Sequence, residues 1–444
     1  MAQQVISKEQ GSIKTLGIFS YFKNGILGLQ HLVAMLGAII LVPLVTGLDP
    51  SVALFTAGIG TLIFHLCTKG KVPVFLGSSF AFIPVIQVIA AKYGDLRYAQ
   101  GGIFFAGLAY VLISFGIKKI GVDKIKRFLP ARVVGPMIMV IGLNLIPNAL
   151  EMAGVKSLIA GETGAMTSVL IACTTLGLAL IISKFGKGFF SQLAIITAVC
   201  VGYTLSLILG QVDTSLIQQS TMVAVPNFTL PKFDFGAIMI TLPVILAVSM
   251  EHIGDITTNG QVVGKNFIED PGLNRTVLGD GLATLVASLL GGPANTTYGE
   301  NTGVLAITKN YNPSILRLTA VFAIILSFIA KFGAVIRTIP QSVMGGISLM
   351  LFSMIALVGV KTIKNEGVKL NKTNLILMGS IIFVGLSGLF MSEPIGIEIS
   401  EAVSISGLSL AALIGVILNL IITKFESAKS RKEVIAWIKI ASHI

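Results

Sequence analysis

Three carboxylates stand where an apolar chain has least reason to carry them. Glu251 and Asp255 lie four residues apart in "LPVILAVSMEHIGDITTNG", and Glu300 interrupts "PANTTYGENTGVLAIT". In a helix, positions i and i+4 share a face, so Glu251 and Asp255 point the same way. Two carboxylates held that close in a low dielectric resist double ionisation, and such a pair can hold a proton near neutral pH. A charge at mid-membrane costs at least about 2.5–3.5 kcal/mol and by default marks a substrate or ion path. Asp280 is a fourth acid inside an apolar run; flanked by glycines, it reads equally well as a packing residue. His31, His65 and His252 are the remaining titratable groups within apolar segments, and each also reads as a satisfied core histidine.

The elements that must position these groups follow from composition. Of 444 residues, 54% are hydrophobic and 12% charged, against about 25% charged in a soluble chain. Mean hydropathy is +0.90. Apolar runs near the roughly 20 residues of a bilayer span recur along the length. They are continuous and do not alternate with period two, which excludes an outer-membrane barrel. The reading is an all-α polytopic membrane protein of about fourteen segments: 24–46, 51–68, 79–91, 98–117, 131–152, 165–183, 188–210, 235–259, 272–290, 301–308, 313–332, 340–360, 373–391 and 401–423. The third and tenth are too short to span as helices, which needs about 17 residues. Cys67, Cys173 and Cys200 show no CxxC spacing and read as packing residues, with no metal site.

The net charge of +12 is explained by topology rather than by nucleic acid. With the N-terminus inside, the two tails hold 8 of the 32 Lys and Arg, loops after even-numbered segments hold 18, and loops after odd-numbered segments hold 6. That is the positive-inside bias, and it places both termini in the cytoplasm. The cluster Lys118, Lys119, Lys124, Lys126, Arg127 and Arg132 reads as part of this signal, with contact to anionic lipid as the alternative. The expected organisation is a tail over 1–23, a transmembrane domain over 24–423 and a basic cytoplasmic tail over 424–444.

A weak repeat divides the chain. His31 in "LQHL" and His252 in "MEHI" are 221 residues apart, and Pro73 in "VPVFLGSS" and Pro293 in "GPANTTYG" are 220 apart. Seven segments per half start the second half on the opposite side, which predicts inverted repeats with discontinuous segments in matching positions. "KVPVFLGSS" reads as extended and "PANTTYG" as extended or irregular. Irregular backbone at membrane depth persists only where protein buries it or a cavity faces it. Its N–H groups and the N-terminus of the following half-helix are donors, and Glu300 is an acceptor. A planar cyclic amide such as uracil or xanthine presents the complementary pattern.

"EHIGD", "NTTYGENTGVLAITK" and "LGSSFAF" resemble the nucleobase/ascorbate transporter family, nearest its bacterial uracil-permease branch. Glu300, Asn301, Gly303 and Thr308 fall on that family's signature, and the likeness extends from "GLQHLVAMLGAIILVP" to "GGISLMLF". The resemblance implies two inverted repeats of seven segments. A core comes from segments 1–4 and 8–11, a gate from 5–7 and 12–14, and short strands precede half-helices 3 and 10. It implies that Glu251 and Glu300 bind the substrate, with the backbone at Phe80 and Gly299 against its ring. Uracil carriers of this type can hold a His where Asp255 stands, so proton coupling is left among Glu251, Asp255, His31 and Glu300.

The expected function is proton-coupled uracil import across the bacterial inner membrane by alternating access, with the proton in place of a cofactor. A xanthine or urate carrier and an anion exchanger or channel on the same fold are the alternatives. An enzyme is disfavoured, because the sequence carries no metal-ligand cluster and no nucleophile–His motif. The partners expected are a nucleobase and membrane lipid, and a homodimer through the gate domain is compatible with the resemblance.

Overall fold

A computed structural model describes residues 2–121, 130–391, 393–400 and 403–441. Residues 442–444 of the basic tail, residues 401–402 of the fourteenth expected segment, and Lys124, Lys126 and Arg127 of the basic cluster lie outside the described residues. Among the described residues, nine helices are long and apolar enough to cross a membrane.

The first half holds α1 (Ala2–Thr46), α2 (Pro50–Cys67), strand β1 (Leu76–Ser78), α3 (Ile83–Tyr93), α4 (Arg97–Ile120), α5 (Ala131–Met152), α6 (Ala165–Phe185) and α7 (Ala194–Ile208). The second holds α8 (Val244–Val263), α9 (Leu273–Leu289), strand β2 (Asn295–Thr297), α10 (Gly299–Thr308), α11 (Pro313–Ser327), α12 (Gln341–Asn365), α13 (Lys372–Gly385) and α14 (Gly407–Ala441). Boundaries depart from the sequence expectation in several places; the twelfth helix runs on to Asn365 and the thirteenth ends at Gly385. The helix of the tenth segment starts at Gly299, two residues early. The eighth segment breaks before Pro243, so Phe235–Thr241 is a separate short helix; a proline inside a helix removes a hydrogen bond and clashes with the preceding turn. The eleventh stops at Ser327, and Ala330–Arg337 is a helix of its own. The fourteenth starts at Gly407, because Val403–Ser406 pairs with Gly396–Ser400 as an antiparallel hairpin.

Two packing groups are apparent. In one, α9 lies against α4 and α2, and α11 lies against α2 and α1. In the other, α5 packs along α12, with α6, α13 and α14 around them. Small residues permit the second contact: a Cβ on Gly135 would stand 2.9 Å from the carbonyl oxygen of Gly359. Arg132, counted with the basic cluster, turns inward instead. Its guanidinium donates to Asn419 Oδ1 at 2.9 Å, Asn374 Oδ1 at 3.1 Å and Thr423 Oγ1 at 3.0 Å, tying α5 to α13 and α14.

Between the halves, β1 and β2 form a two-stranded antiparallel sheet with Leu76 opposite Thr297, Gly77 opposite Thr296 and Ser78 opposite Asn295. All six residues are buried. A lone strand pair leaves backbone groups unpaired along both outer edges, which is costly away from water. Threonines of the flanking helices satisfy them. Thr61 of α2 accepts from the Leu76 N–H at 2.9 Å, and the Thr284 hydroxyl of α9 accepts from the Asn295 N–H at 3.2 Å and lies 3.0 Å from its carbonyl oxygen. Gly77 must be a glycine, since a Cβ there would enter the ring of Tyr298.

Candidate functional site

Each strand runs straight into a short helix. After β1 comes a 3₁₀ turn, Phe80–Phe82, leading into α3; after β2 comes α10. Neither helical N-terminus is capped by the side chain of its flanking residue, Ser79 or Tyr298. The first N–H groups of a helix have no partner inside it, so both ends present donors and a partial positive charge.

The structure brings the expected residues together around these ends. Helix α8 packs against both α10 and the Phe80–Phe82 turn. Glu300 lies in the first turn of α10 and is half-buried, as are Glu251 and Asp255 on α8. Glu251 and Asp255 each lie within electrostatic reach of Glu300 and of Asp280. Gly299 is exposed, and a Cβ on it would stand 3.2 Å from Asp255 Oδ1. Its φ is not positive, so this glycine serves close approach rather than an unusual backbone angle. Phe80, partly buried, sets its ring nearly parallel to that of Tyr298, with centroids 6.3 Å apart and planes 6° apart. Tyr298 is in turn held by its hydroxyl, which donates to the Ser78 carbonyl at 2.9 Å. The arrangement can receive ring N–H groups on carboxylates, offer backbone donors to carbonyl oxygens, and lay a flat ring against an aromatic face.

The other titratable candidates sit outside this crevice. His31 is buried in α1 with Asn301 as its side-chain neighbour. His65 lies 2.9 Å from the Val74 carbonyl oxygen and holds the approach to β1. His252 and Asp280 form a closed polar knot. His252 Nδ1 is 2.8 Å from Asp280 Oδ2 and 3.0 Å from Thr297 Oγ1, and its Nε2 is 2.9 Å from Thr276 Oγ1. Thr297 also donates to Asp280 at 3.2 Å. With 0% and 1% exposure for His252 and Asp280, the knot is structural: it fastens α8 and α9 to β2, directly before Glu300. Sequence reasoning missed Asn259 and the partners of Asn301. Their one signal was an amide side chain inside a mostly apolar segment. Among the described residues no group of three or more His, Cys, Asp or Glu could hold a metal ion.

Residues 22–393 match the family described as "Permease family", Xan_ur_permease. The uracil permease of Bacillus caldolyticus is 42% identical over 406 residues, which cover 89% of this chain and 91% of that protein. The uracil permease of Bacillus subtilis (strain 168) is 41% identical over 403 residues, again covering 89% and 91%. Of solved structures, the transmembrane domain of the cyanobacterial bicarbonate transporter BicA superposes with a TM-score of 0.61 at 17% identity, covering 90% of this chain and 97% of that one. At that identity the likeness is one of fold.

Proposed function

We infer, from the premise that this chain belongs to the Xan_ur_permease family of nucleobase/ascorbate transporters, that it carries uracil across the membrane together with protons. A multi-pass membrane protein of a permease family is a transporter and not an enzyme. The observation that carries the substrate reading is the meeting of Glu251 and Glu300 at two uncapped helix N-termini, with the Phe80 ring alongside. Buried donors and acceptors left unpaired cost about 1–3 kcal/mol each, so such a site selects a ligand presenting the complementary set. Uracil does so with two ring N–H groups and two carbonyl oxygens. The uracil permeases 41–42% identical to this chain support the same choice.

In this reading α1–α4 and α8–α11 form a core and α5–α7 with α12–α14 a gate. The two packing groups support that division. The antiparallel pairing of β1 with β2, from matching positions in the two halves, supports inverted repeats within a fourteen-segment plan. The lysine and arginine bias supports an inner-membrane orientation with both termini cytoplasmic.

Uptake of labelled uracil into proteoliposomes, competed by a panel of nucleobases, tests the assignment. Uracil is expected to compete best; stronger competition by xanthine or urate overturns the choice of substrate. Counterflow of internal for external uracil distinguishes a carrier from a channel.

Coupling has its own test. Asp255 sits one helical turn from Glu251 and beside Gly299, so the two acids are proposed to share the transported proton. Asp255→Asn removes one of the two sites that can hold it. Uphill accumulation driven by an acid-outside gradient is expected to shrink, while uracil exchange persists because exchange needs no net proton movement. Accumulation as steep as the parent's would remove Asp255 from the relay and leave it to Glu251, Glu300 or His31.

A further inference from the structure

Asn259 lies on α8, one turn beyond Asp255 and two beyond Glu251, and is fully buried. Its amide Nδ2 donates to the carbonyl oxygen of Pro73 at 3.1 Å and to Thr302 Oγ1 at 3.1 Å. Asn301, next to Glu300 and equally buried, donates to the same Pro73 oxygen at 2.9 Å. An amide NH₂ has two hydrogens and a carbonyl oxygen two lone pairs, so both groups are fully used. Pro73 stands in the irregular stretch leading into β1, where backbone at membrane depth must find partners within the protein.

We propose that Asn259 is a positioning residue for the substrate site. Through the Pro73 carbonyl and Thr302 it sets the spacing between α8, which carries Glu251 and Asp255, and α10, which carries Glu300. It touches no part of the crevice itself. It joins three chain segments whose relative placement decides whether the two glutamates reach one planar ligand together. A displacement on the scale of an ångström at a positioning contact costs far more than the contact itself.

The proposal rests on the uracil reading above, and the tests separate the two. Parent, Asn259→Asp, Asn259→Ala and Thr302→Val proteins are reconstituted, and initial rates of labelled uracil uptake are measured. Asn259→Asp keeps the shape and loses at least one donor, retaining a single O–H when protonated, whereas Asn259→Ala loses both. Asn259→Ala is expected to raise KM about tenfold or more with Vmax nearly unchanged, and Asn259→Asp to raise it by less. Thr302→Val cuts only the direct arm and is expected to raise KM about threefold. A parent-like KM in folded Asn259→Ala overturns the proposal. If the Asn259 variants do not reach the membrane, an unchanged KM in Thr302→Val does the same. A second readout needs no substrate. Hydrogen exchange over residues 73–80 and 298–302 is expected to rise in Asn259→Ala. Unchanged exchange overturns the positioning role whatever the cargo, whereas raised exchange in a protein that does not carry uracil overturns only the substrate reading.

Discussion

Asp280→Leu is expected to destabilise the folded protein by about 3–5 kcal/mol, the range for breaking a buried charged or strongly polar pair from one side. Asp280 and His252 are 1% and 0% exposed, and the carboxylate also accepts from Thr297. Removing it leaves His252 Nδ1 and the Thr297 hydroxyl, 3.0 Å apart, with only each other, and takes away the carboxylate that both of them reach. The loss should appear as a lowered thermal midpoint of the purified protein in detergent, alongside a smaller effect for Asp255→Leu, whose side chain is only half-buried. The decisive comparison is the double variant His252→Leu/Asp280→Leu. Replacing both members of a buried pair by apolar groups of similar volume is often close to neutral, so the double variant is expected to be more stable than Asp280→Leu alone. If the two losses simply add, His252 and Asp280 are not coupled, and the knot does not hold β2 in the way the distances imply.

Glu300→Gln is expected to weaken uracil binding about tenfold or more, with folding and membrane insertion intact. The carboxylate offers only acceptors, whereas the amide carries an N–H₂ that would face a ring N–H with a donor. Glu300 is half-buried at the crevice and makes none of the contacts that hold the strands, so the loss should fall on binding rather than stability. Equilibrium binding of labelled uracil to purified protein measures it directly. Unchanged affinity would falsify the acceptor role. The amide suits a ligand that offers an acceptor at that point, so xanthine binding gained in the same variant would identify position 300 as a selector between pyrimidine and purine cargo.

Much of this protein is legible along the chain because the bilayer acts residue by residue. Apolar run length, the distribution of Lys and Arg, and the cost of an acid in an apolar helix are local quantities. They were enough to mark an all-helical membrane protein, two interrupted segments, and Glu251, Asp255 and Glu300 as the residues to follow. The family resemblance, carried by "LGSSFAF" and by the signature around Glu300, then pointed to Phe80 and Gly299. Segment ends were less legible. The break before Pro243 has a local cause, but the stop at Ser327 sits where Ile329 pairs with Val223, more than a hundred residues earlier. The roles of the remaining polar residues were not local at all. Asp280 and His252 are indistinguishable from proton-relay candidates until the fold presses them against Thr276 and Thr297. Arg132 reads as one more cytoplasmic charge until α13 and α14 surround it. Asn259 showed only an amide in a mostly apolar segment, because its partner is a backbone carbonyl 186 residues away. Which buried polar group faces ligand and which is consumed by its neighbours depends on what lies within about 3 Å of it, and in this chain those neighbours come from other helices and strands, 24 residues away for His252 and Thr276 and 186 for Asn259 and Pro73.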